Sequence, residues 1–332
     1  MSGKKRMLSG MQPTGMPHLG NLEGAIANWV KFQDEYESFF FIADWHSLTT
    51  LYANTEVIKN NTTEVALDVL AAGVDPEKCA FFVQSDVKEH AELHLLLSMI
   101  TPISWLERVP TFKEKLDNVL GGEGERASYG LMGYPVLMSA DILIYKANVV
   151  PVGKDQLPHL ELCREIGRRF NRHYGDVFPE CDGLFTTIPA MPGLDGRKMS
   201  KSYNNAIYIA DDQDTTWQKV RSMYTDPEKI RKDDAGHPDG CAVCAMLGIY
   251  QPNSNSELKQ ECKAGHMGCM VCKKKLAEIL NERLKPIREK RTELIQNMDY
   301  VNNVLSIGAE KASAAASETM KEVRSVMNMK DK

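Results

Sequence analysis

Between residues 6 and 208 short apolar runs alternate with stretches of helical period, the pattern of a parallel sheet with helices packed on its faces. Arg6-Met7-Leu8-Ser9 predicts a first strand. A Gly/Pro-rich loop then runs to Gly20, and a helix starts at Leu22 with Ile26, Trp29, Val30 and Gln33 at helical spacing. Phe39-Phe40-Phe41-Ile42, within Ser38 to Ala43, predicts a strand buried on both faces, and a helix over Glu56 to Ala72 follows, closed by Gly73 and Pro76. Cys79 to Val83 and Asn148 to Val152 supply further strands. After the latter come a helix over Gln156 to Phe170 and an irregular segment from Arg172 to Asp195. From Asp212 onward only helical periods remain, separated by a Pro-, Gly- and Cys-rich stretch. The class is therefore α/β with a smaller all-α second domain, the boundary falling between 208 and 209. Within the second domain, Lys273 to Arg291 carries eight Lys/Arg and three Glu beside an apolar face of Leu276, Ile279, Leu280, Leu284 and Ile287, with a kink expected at Pro286. An Ala-rich helix over 309–328 is expected to pack back.

The length of 332 residues leaves room for more than one domain at ~100–200 residues each. A hydrophobic share of 43% and a charged share of 26% exclude a wholly disordered or collagen-like chain. The 40 Lys+Arg against 45 Asp+Glu leave a formal charge of −5, so a polyanionic partner must bind a local patch. The basic start gives way at Met7-Leu8-Ser9-Gly10 to no apolar stretch of signal-peptide type. The charge-free Leu93 to Leu106 falls short of the ~18 apolar residues that a spanning helix needs. A cytoplasmic protein without membrane contact is the expectation, and its cysteines then read as thiols or metal ligands.

Two loops carry chemistry. Ser9 to Asn21 joins a strand to a helix N-terminus, where unpaired N–H groups and the helix dipole favour phosphate. It lacks the GxGxxG pattern. Instead His18 and Asn21, one helical turn apart, can present two donors to one phosphoryl oxygen. Lys198-Met199-Ser200-Lys201-Ser202 lies between Pro192-Gly193-Leu194-Asp195-Gly196 and Asn204-Asn205. Its lysines and hydroxyls suit a pyrophosphate leaving group, whose charge grows in the transition state. Alone, His18 is more often structural and a Lys/Ser pentamer can be a solvated loop; together the two loops point to a nucleotide.

At this pair of motifs the sequence resembles the class I aminoacyl-tRNA synthetases, whose HIGH and KMSKS elements cradle ATP. The second element is intact. In the first, Asn21 stands where the final His falls, as is usual in the tryptophan and tyrosine branch, so a donor remains where an imidazole is lost. Gly133-Tyr134-Pro135-Val136-Leu137-Met138-Ser139-Ala140-Asp141-Ile142-Leu143 and Val150-Pro151-Val152-Gly153-Lys154-Asp155-Gln156 look like the pocket of the tryptophanyl-tRNA synthetases. The likeness continues through Phe112-Lys113-Glu114-Lys115 and Arg169-Phe170-Asn171 and covers essentially the whole chain. It implies a Rossmann-like parallel-sheet catalytic domain over 1–208 and a helical anticodon-binding domain over 209–332. It also implies ATP- and Mg²⁺-dependent activation of L-tryptophan, transfer to tRNA(Trp), and a homodimer with Ile100 to Val109 as a candidate surface. Tyrosine activation and a non-catalytic RNA-binding paralogue are the alternatives.

By the same resemblance Gln12, Pro13, Thr14, Gly20, Asn21, Gly153, Lys154 and Asp155 contact ATP, and Met191 offers its backbone to adenine. Lys115 is an additional triphosphate lysine, and Lys198, Met199, Ser200, Lys201 and Ser202 form the mobile phosphate loop. An indole site needs apolar walls and one acceptor for its N–H. By the resemblance Asp141 would be that acceptor, with Tyr134 and Met138 on its helix face, Val150 and Val152 on one strand face, and Gln156 orienting the ammonium; without the resemblance Met138, Val150 and Val152 read as core packing. A buried carboxylate paired to the indole N–H rejects phenylalanine more strongly than apolar fit, worth ~10–200-fold per methylene.

The remaining signal is Cys241-x20-Cys262-x6-Cys269-x2-Cys272, with Cys244 forming a C-x-x-C pair with Cys241. Four thiolates suit tetrahedral Zn²⁺ or a [4Fe–4S] cluster, and spacing does not choose. A subset of tryptophanyl-tRNA synthetases looks the same. The resemblance thus implies a [4Fe–4S] cluster on Cys241, Cys262, Cys269 and Cys272, with Cys244 able to replace Cys241; nearby His237 and His266 keep Zn²⁺ as the alternative. The basic Lys273 to Arg291 segment and this loop would meet the tRNA.

Overall fold

The computed structural model describes residues 3–109, 128–153, 156–185 and 190–330. One parallel sheet contains β1 (Arg6–Met11), β2 (Glu37–Ile42), β3 (Cys79–Val83), β4 (Val149–Val152) and β5 (Asp182–Phe185), in the spatial order β3-β2-β1-β4-β5. Four of these are the strands that the apolar runs predict. β5 is a correction, because it lies in the segment read as irregular. It is an edge strand whose Asp182 and Phe185 are exposed, so it shows neither a continuous apolar run nor alternation.

The aromatic run of β2 divides by the two-residue period of a strand. Phe40 joins Trp29 on one face, rings stacked at 4.8 Å, while Phe39 stacks on Tyr145 at 4.4 Å on the other. The chain moves outward from β1 to β2 and β3, then crosses back to place β4 on the other side of β1. Where strand order reverses in this way, the carboxyl ends of the two strands flank a crevice, the place where open α/β sheets hold ligands. Here those ends belong to β1 and β4.

The helix after β1 begins at Leu19 rather than Leu22. It runs as Leu19–Asn21, a wider π-type turn over Leu22–Ile26, and Ala27–Phe32, because His18 caps it earlier than the apolar pattern shows. Helices Thr55–Ala71 and Leu157–Tyr174 match expectation closely. Two helices that periodicity did not announce, Asp44–Leu51 and Glu89–Ser98, bring His46 and His90 to the sheet.

Beyond Phe185 the described residues form no further strand of the sheet, and the long elements are helices, among them Gln213–Ser222, Cys269–Ile295 and Met298–Val326. Cys269–Ile295 is helical on both sides of Pro286. Its basic side chains are not simply a solvated face. Lys273 donates to the Arg221 carbonyl at 2.8 Å, Arg283 to Glu23 at 3.1 Å, Arg288 to Thr216 at 2.8 Å and Arg291 to Asp68 at 2.7 Å. Half the positive charge counted in that segment thus clamps the helix to its neighbours, leaving Lys274, Lys285 and Lys290 exposed.

Met298–Val326 returns to the sheet, and its Ala312, Ala316, Met320 and Val323 share a core with β2 and β3. Gly308 makes the close approach possible, since a Cβ there would sit 1.9 Å from the Phe81 carbonyl oxygen. Gly308→Ala must push the helix off β3 and is expected to cost about 1–3 kcal/mol, read as a lower denaturation midpoint. No helix among the described residues is long and apolar enough to cross a membrane.

Candidate active site

His18 is the N-cap of the helix after β1. Its Nδ1 accepts the Gly20 N–H at 3.0 Å, while Asn21 Oδ1 accepts the His18 N–H at 3.0 Å. This reciprocal cap leaves the ring proton of a neutral His18 on Nε2 and leaves the Asn21 amide with its N–H donors. Burial first, then Lys201 and Lys198, push the His18 imidazolium down to about 4. At neutral pH both residues therefore offer neutral donors, the pair expected at a phosphoryl oxygen.

The lysine loop lies against this cap. Leu19 N–H donates to the Ile207 carbonyl and Ile209 N–H to the Pro17 carbonyl, each at 3.0 Å, so the chain after the lysines is stitched to the phosphate loop. Lys201 Nζ donates to the Gly15 carbonyl at 2.5 Å. Burial lowers its ammonium to about 8, against the pull of the Asp68 carboxylate. Met199 is buried and anchors the loop, with its N–H bonded to the Met191 carbonyl at 2.8 Å, while Lys198 is exposed and Ser200 meets Ser202. The Met191 backbone, expected at adenine, thus has its carbonyl engaged with the loop. Asn205, noted in the sequence only as a flanking residue, is its internal brace. It accepts the Ser200 N–H at 2.8 Å and donates to Asp195 at 2.7 Å.

A cavity of about 380 Å³ opens at the carboxyl ends of β1 and β4. It falls within the ~300–1,000 Å³ of small-molecule sites. Gln12 connects it to the phosphate loop, and all the predicted pocket residues line it: Tyr134, Met138, Asp141, Val150, Val152 and Gln156. Gly10 lines it from β1 and lets the Phe41 ring pack closely there, since a Cβ would lie 2.5 Å from that ring. Tyr134 and Asp141 come from the Tyr129–Ile144 helix, whose first turn Ser128 caps by accepting the Leu131 N–H at 3.1 Å. The Tyr134 hydroxyl lies 2.8 Å from His159 Nε2.

Asp141 is buried yet well supplied with donors. His46 Nε2 donates to Oδ2 at 2.8 Å, and Gln84 Nε2 and His90 Nδ1 donate to Oδ1 at 2.8 and 2.6 Å. Burial pushes its carboxyl up, but the hydrogen bonds from His46 and His90 outweigh it and hold the group down at about 2. A carboxylate has about four acceptor positions. Three are taken by these bonds, and the open one belongs to Oδ2, the oxygen shared with His46. His46 lines the cavity, whereas Gln84 and His90 do not, so that oxygen is on the cavity side.

The residues that sequence reasoning missed here are His46, Gln84, His90 and His159. The first three reach Asp141 across 95, 57 and 51 residues, distances over which no periodicity carries information. They carry no local signal either, because each sits beside other polar residues, Asp44 and Ser47, Ser85 and Asp86, or Glu89 and Glu92, and so reads as part of an ordinary polar stretch. Lys113, Lys115, Lys154 and Asp155 lie outside the described residues.

The cysteines Cys241, Cys244, Cys262, Cys269 and Cys272 line one small cavity, so the structure brings the cluster together. Among the described residues, however, no group of three or more His, Cys, Asp or Glu stands in metal-coordinating geometry. The soft donor set fits a thiolate-bound metal. Burial first, then the neighbouring thiols, push Cys272 up to about 12, so ligation would release protons. Cys244 is buried with its thiol 3.9 Å from Asn255 Oδ1, whereas Cys241 is half-buried.

A switch-point crevice beside a helix-capping loop and a buried lysine loop is the arrangement of a nucleotide-binding α/β enzyme fold. The family described as tRNA synthetases class I (W and Y) matches residues 2–285. The tryptophan–tRNA ligase of Thermotoga maritima is 46% identical over 328 residues, spanning 98% of this chain and 99% of the relative. That of Aquifex aeolicus is 44% identical over 393 residues, spanning 98% and 100%. The crystal structure of tryptophanyl-tRNA synthetase from Campylobacter jejuni complexed with ADP and tryptophan superposes with a TM-score of 0.87 at 36% identity, covering 98% of this chain and 100% of that one. The chain belongs to the class I tRNA synthetases of the tryptophan and tyrosine family.

Proposed function

We infer that the chain is a tryptophan–tRNA ligase, which condenses L-tryptophan with ATP to tryptophanyl-adenylate and passes the tryptophanyl group to tRNA(Trp). The observation that carries the choice of amino acid is the open acceptor position of Asp141 at the wall of a cavity continuous with the phosphate loop. The apolar walls of Met138, Val150 and Val152 would hold the indole, Asp141 Oδ2 would accept its N–H, and Gln156 would orient the ammonium. A carboxylate oxygen of tryptophan then attacks the α-phosphorus in line. The bond from that phosphorus to the bridging oxygen breaks and pyrophosphate leaves, with no covalent enzyme intermediate; Mg²⁺ accompanying ATP would offset the charge of the triphosphate. His18 Nε2–H and the Asn21 amide would meet the α-phosphoryl oxygens, and Lys198 and Lys201 the leaving group. Gln12, Pro13, Thr14, Gly20, Gly153, Lys154, Asp155 and Lys115 are assigned to ATP by resemblance.

The division into a catalytic domain over 1–208 and an anticodon-binding domain over 209–332 belongs to the same reading. The exposed Lys274, Lys285 and Lys290 are then the part of the basic helix open to RNA. The exposed Ile103 within the Ile100 to Val109 stretch, with the exposed Leu95 and Met99 just before it, would make an apolar surface suited to a second copy of the chain. Cys241, Cys262, Cys269 and Cys272 would hold a [4Fe–4S] cluster; visible absorption, which zinc lacks, separates it from Zn²⁺. The cytoplasm, where tRNA is charged, is the expected location.

The test is pyrophosphate exchange into ATP with tryptophan and tyrosine in parallel. Exchange with tryptophan alone is expected. Exchange with tyrosine would overturn the indole assignment, and silence with both, alongside retained tRNA binding, would indicate a non-catalytic paralogue.

A further inference from the structure

Asp141 is supported from behind by groups that no bound amino acid can touch. Gln84 and His90 are fully buried, load Oδ1 with two donors, and lie outside the cavity lining. Because a carboxylate only accepts, it draws the His90 proton to Nδ1. In the neutral ring Nε2 is then left to accept the Tyr145 hydroxyl, 2.6 Å away. Tyr145 has no exposed surface; it stacks on Phe39 at 4.4 Å and meets the His90 ring edge-on at 5.3 Å. Apolar packing would be served as well by phenylalanine at 145. A hydroxyl and an imidazole buried this deeply are costly unless each bond is made, and here they are aligned in one chain that ends on Asp141.

The chain has something to hold. The last torsion of an aspartate is broad and roughly two-fold, so an unsupported carboxylate swings. With one oxygen gripped by Gln84 and His90 and the other held by His46, which lines the cavity with Asp141, the plane is fixed and the acceptor position left over belongs to Oδ2.

We propose that His90 and Tyr145 are positioning residues for indole recognition: the Tyr145 hydroxyl orders His90, His90 grips Asp141 Oδ1, and Oδ2 is thereby presented to the indole N–H. This rests on the reading of Asp141 as the indole acceptor. The relay adds nothing to the phosphate chemistry, so its effect falls on how well the N–H is recognised.

The test compares tryptophan with its benzothienyl analogue, in which sulfur replaces the indole N–H, by pyrophosphate exchange. Tyr145→Phe is expected to lower the ratio of kcat/KM for tryptophan over the analogue by about five- to tenfold, with KM for tryptophan carrying most of the loss. His90→Asn keeps a donor toward Oδ1 but drops the acceptor for Tyr145, and is expected to match it. Both changes break one chain, so the double variant is expected to be no worse than either alone. An unchanged ratio, or equal loss on both amino acids, would show a merely structural role and overturn the proposal, as would additive losses. Should Tyr145→Phe misfold, His90→Asn decides by the same ratio. A wild-type enzyme that uses both amino acids equally would overturn the reading of Asp141 itself, and the proposal with it.

Discussion

Asp141→Asn is expected to lower kcat/KM for tryptophan in pyrophosphate exchange by about 10²–10³-fold. Two losses combine. The indole N–H gives up an acceptor of the charge-assisted kind, worth ~1.5–3 kcal/mol. The new amide also turns an N–H₂ toward a shell built only of donors, His46, Gln84 and His90. Leaving a buried donor unmatched adds ~1–3 kcal/mol. The damage should be confined to the amino acid, with the KM for ATP little moved. A fall of less than about threefold would mean that another group reads the indole.

Lys201→Ala is expected to reduce kcat for exchange by about 10²–10³-fold, the effect of removing one preorganised group from a developing charge. The same lysine should shape the alkaline limb of the pH profile. Burial lowers its ammonium to about 8, so the proton is held below that pH and lost as pH rises through it. The free enzyme's kcat/KM for ATP is therefore expected to fall on the alkaline side with a midpoint near 8. Lys201→Arg should retain part of the activity and lose this limb, since a guanidinium stays charged. His18, pushed down to about 4, contributes no acid limb near neutrality. A wild-type profile flat through pH 8 would remove Lys201 as the charged group.

Much of the site was legible because its functional groups fall within short contiguous segments. His18 and Asn21 are one helical turn apart, Lys198 and Lys201 share one loop, and Asp141 lies on a helix face with Tyr134 and Met138. Local geometry suffices there, since helix and strand periods set which side chains share a face. Short apolar runs gave away four strands. β5 escaped because an exposed edge strand needs no apolar pattern. The partners of the basic helix were not legible, because composition counts charges without seeing what they meet, and Lys273, Arg283, Arg288 and Arg291 face other elements.

By itself, then, the sequence determined the α/β class, a strand-to-helix loop and a lysine loop suited to phosphate, and the cysteine cluster, from local spacing and residue chemistry, whereas the pocket walls were legible only through the family resemblance of their segments. Only the tertiary structure decided the topology that sets β1 beside β4, the stitching of the lysine loop to the His18 cap, and the donors that keep Asp141 ionised in the core. The reason is physical. Each of these depends on groups far apart in the chain that meet only after the backbone has crossed the sheet, and the energy of a buried charge is set by the neighbours it meets there.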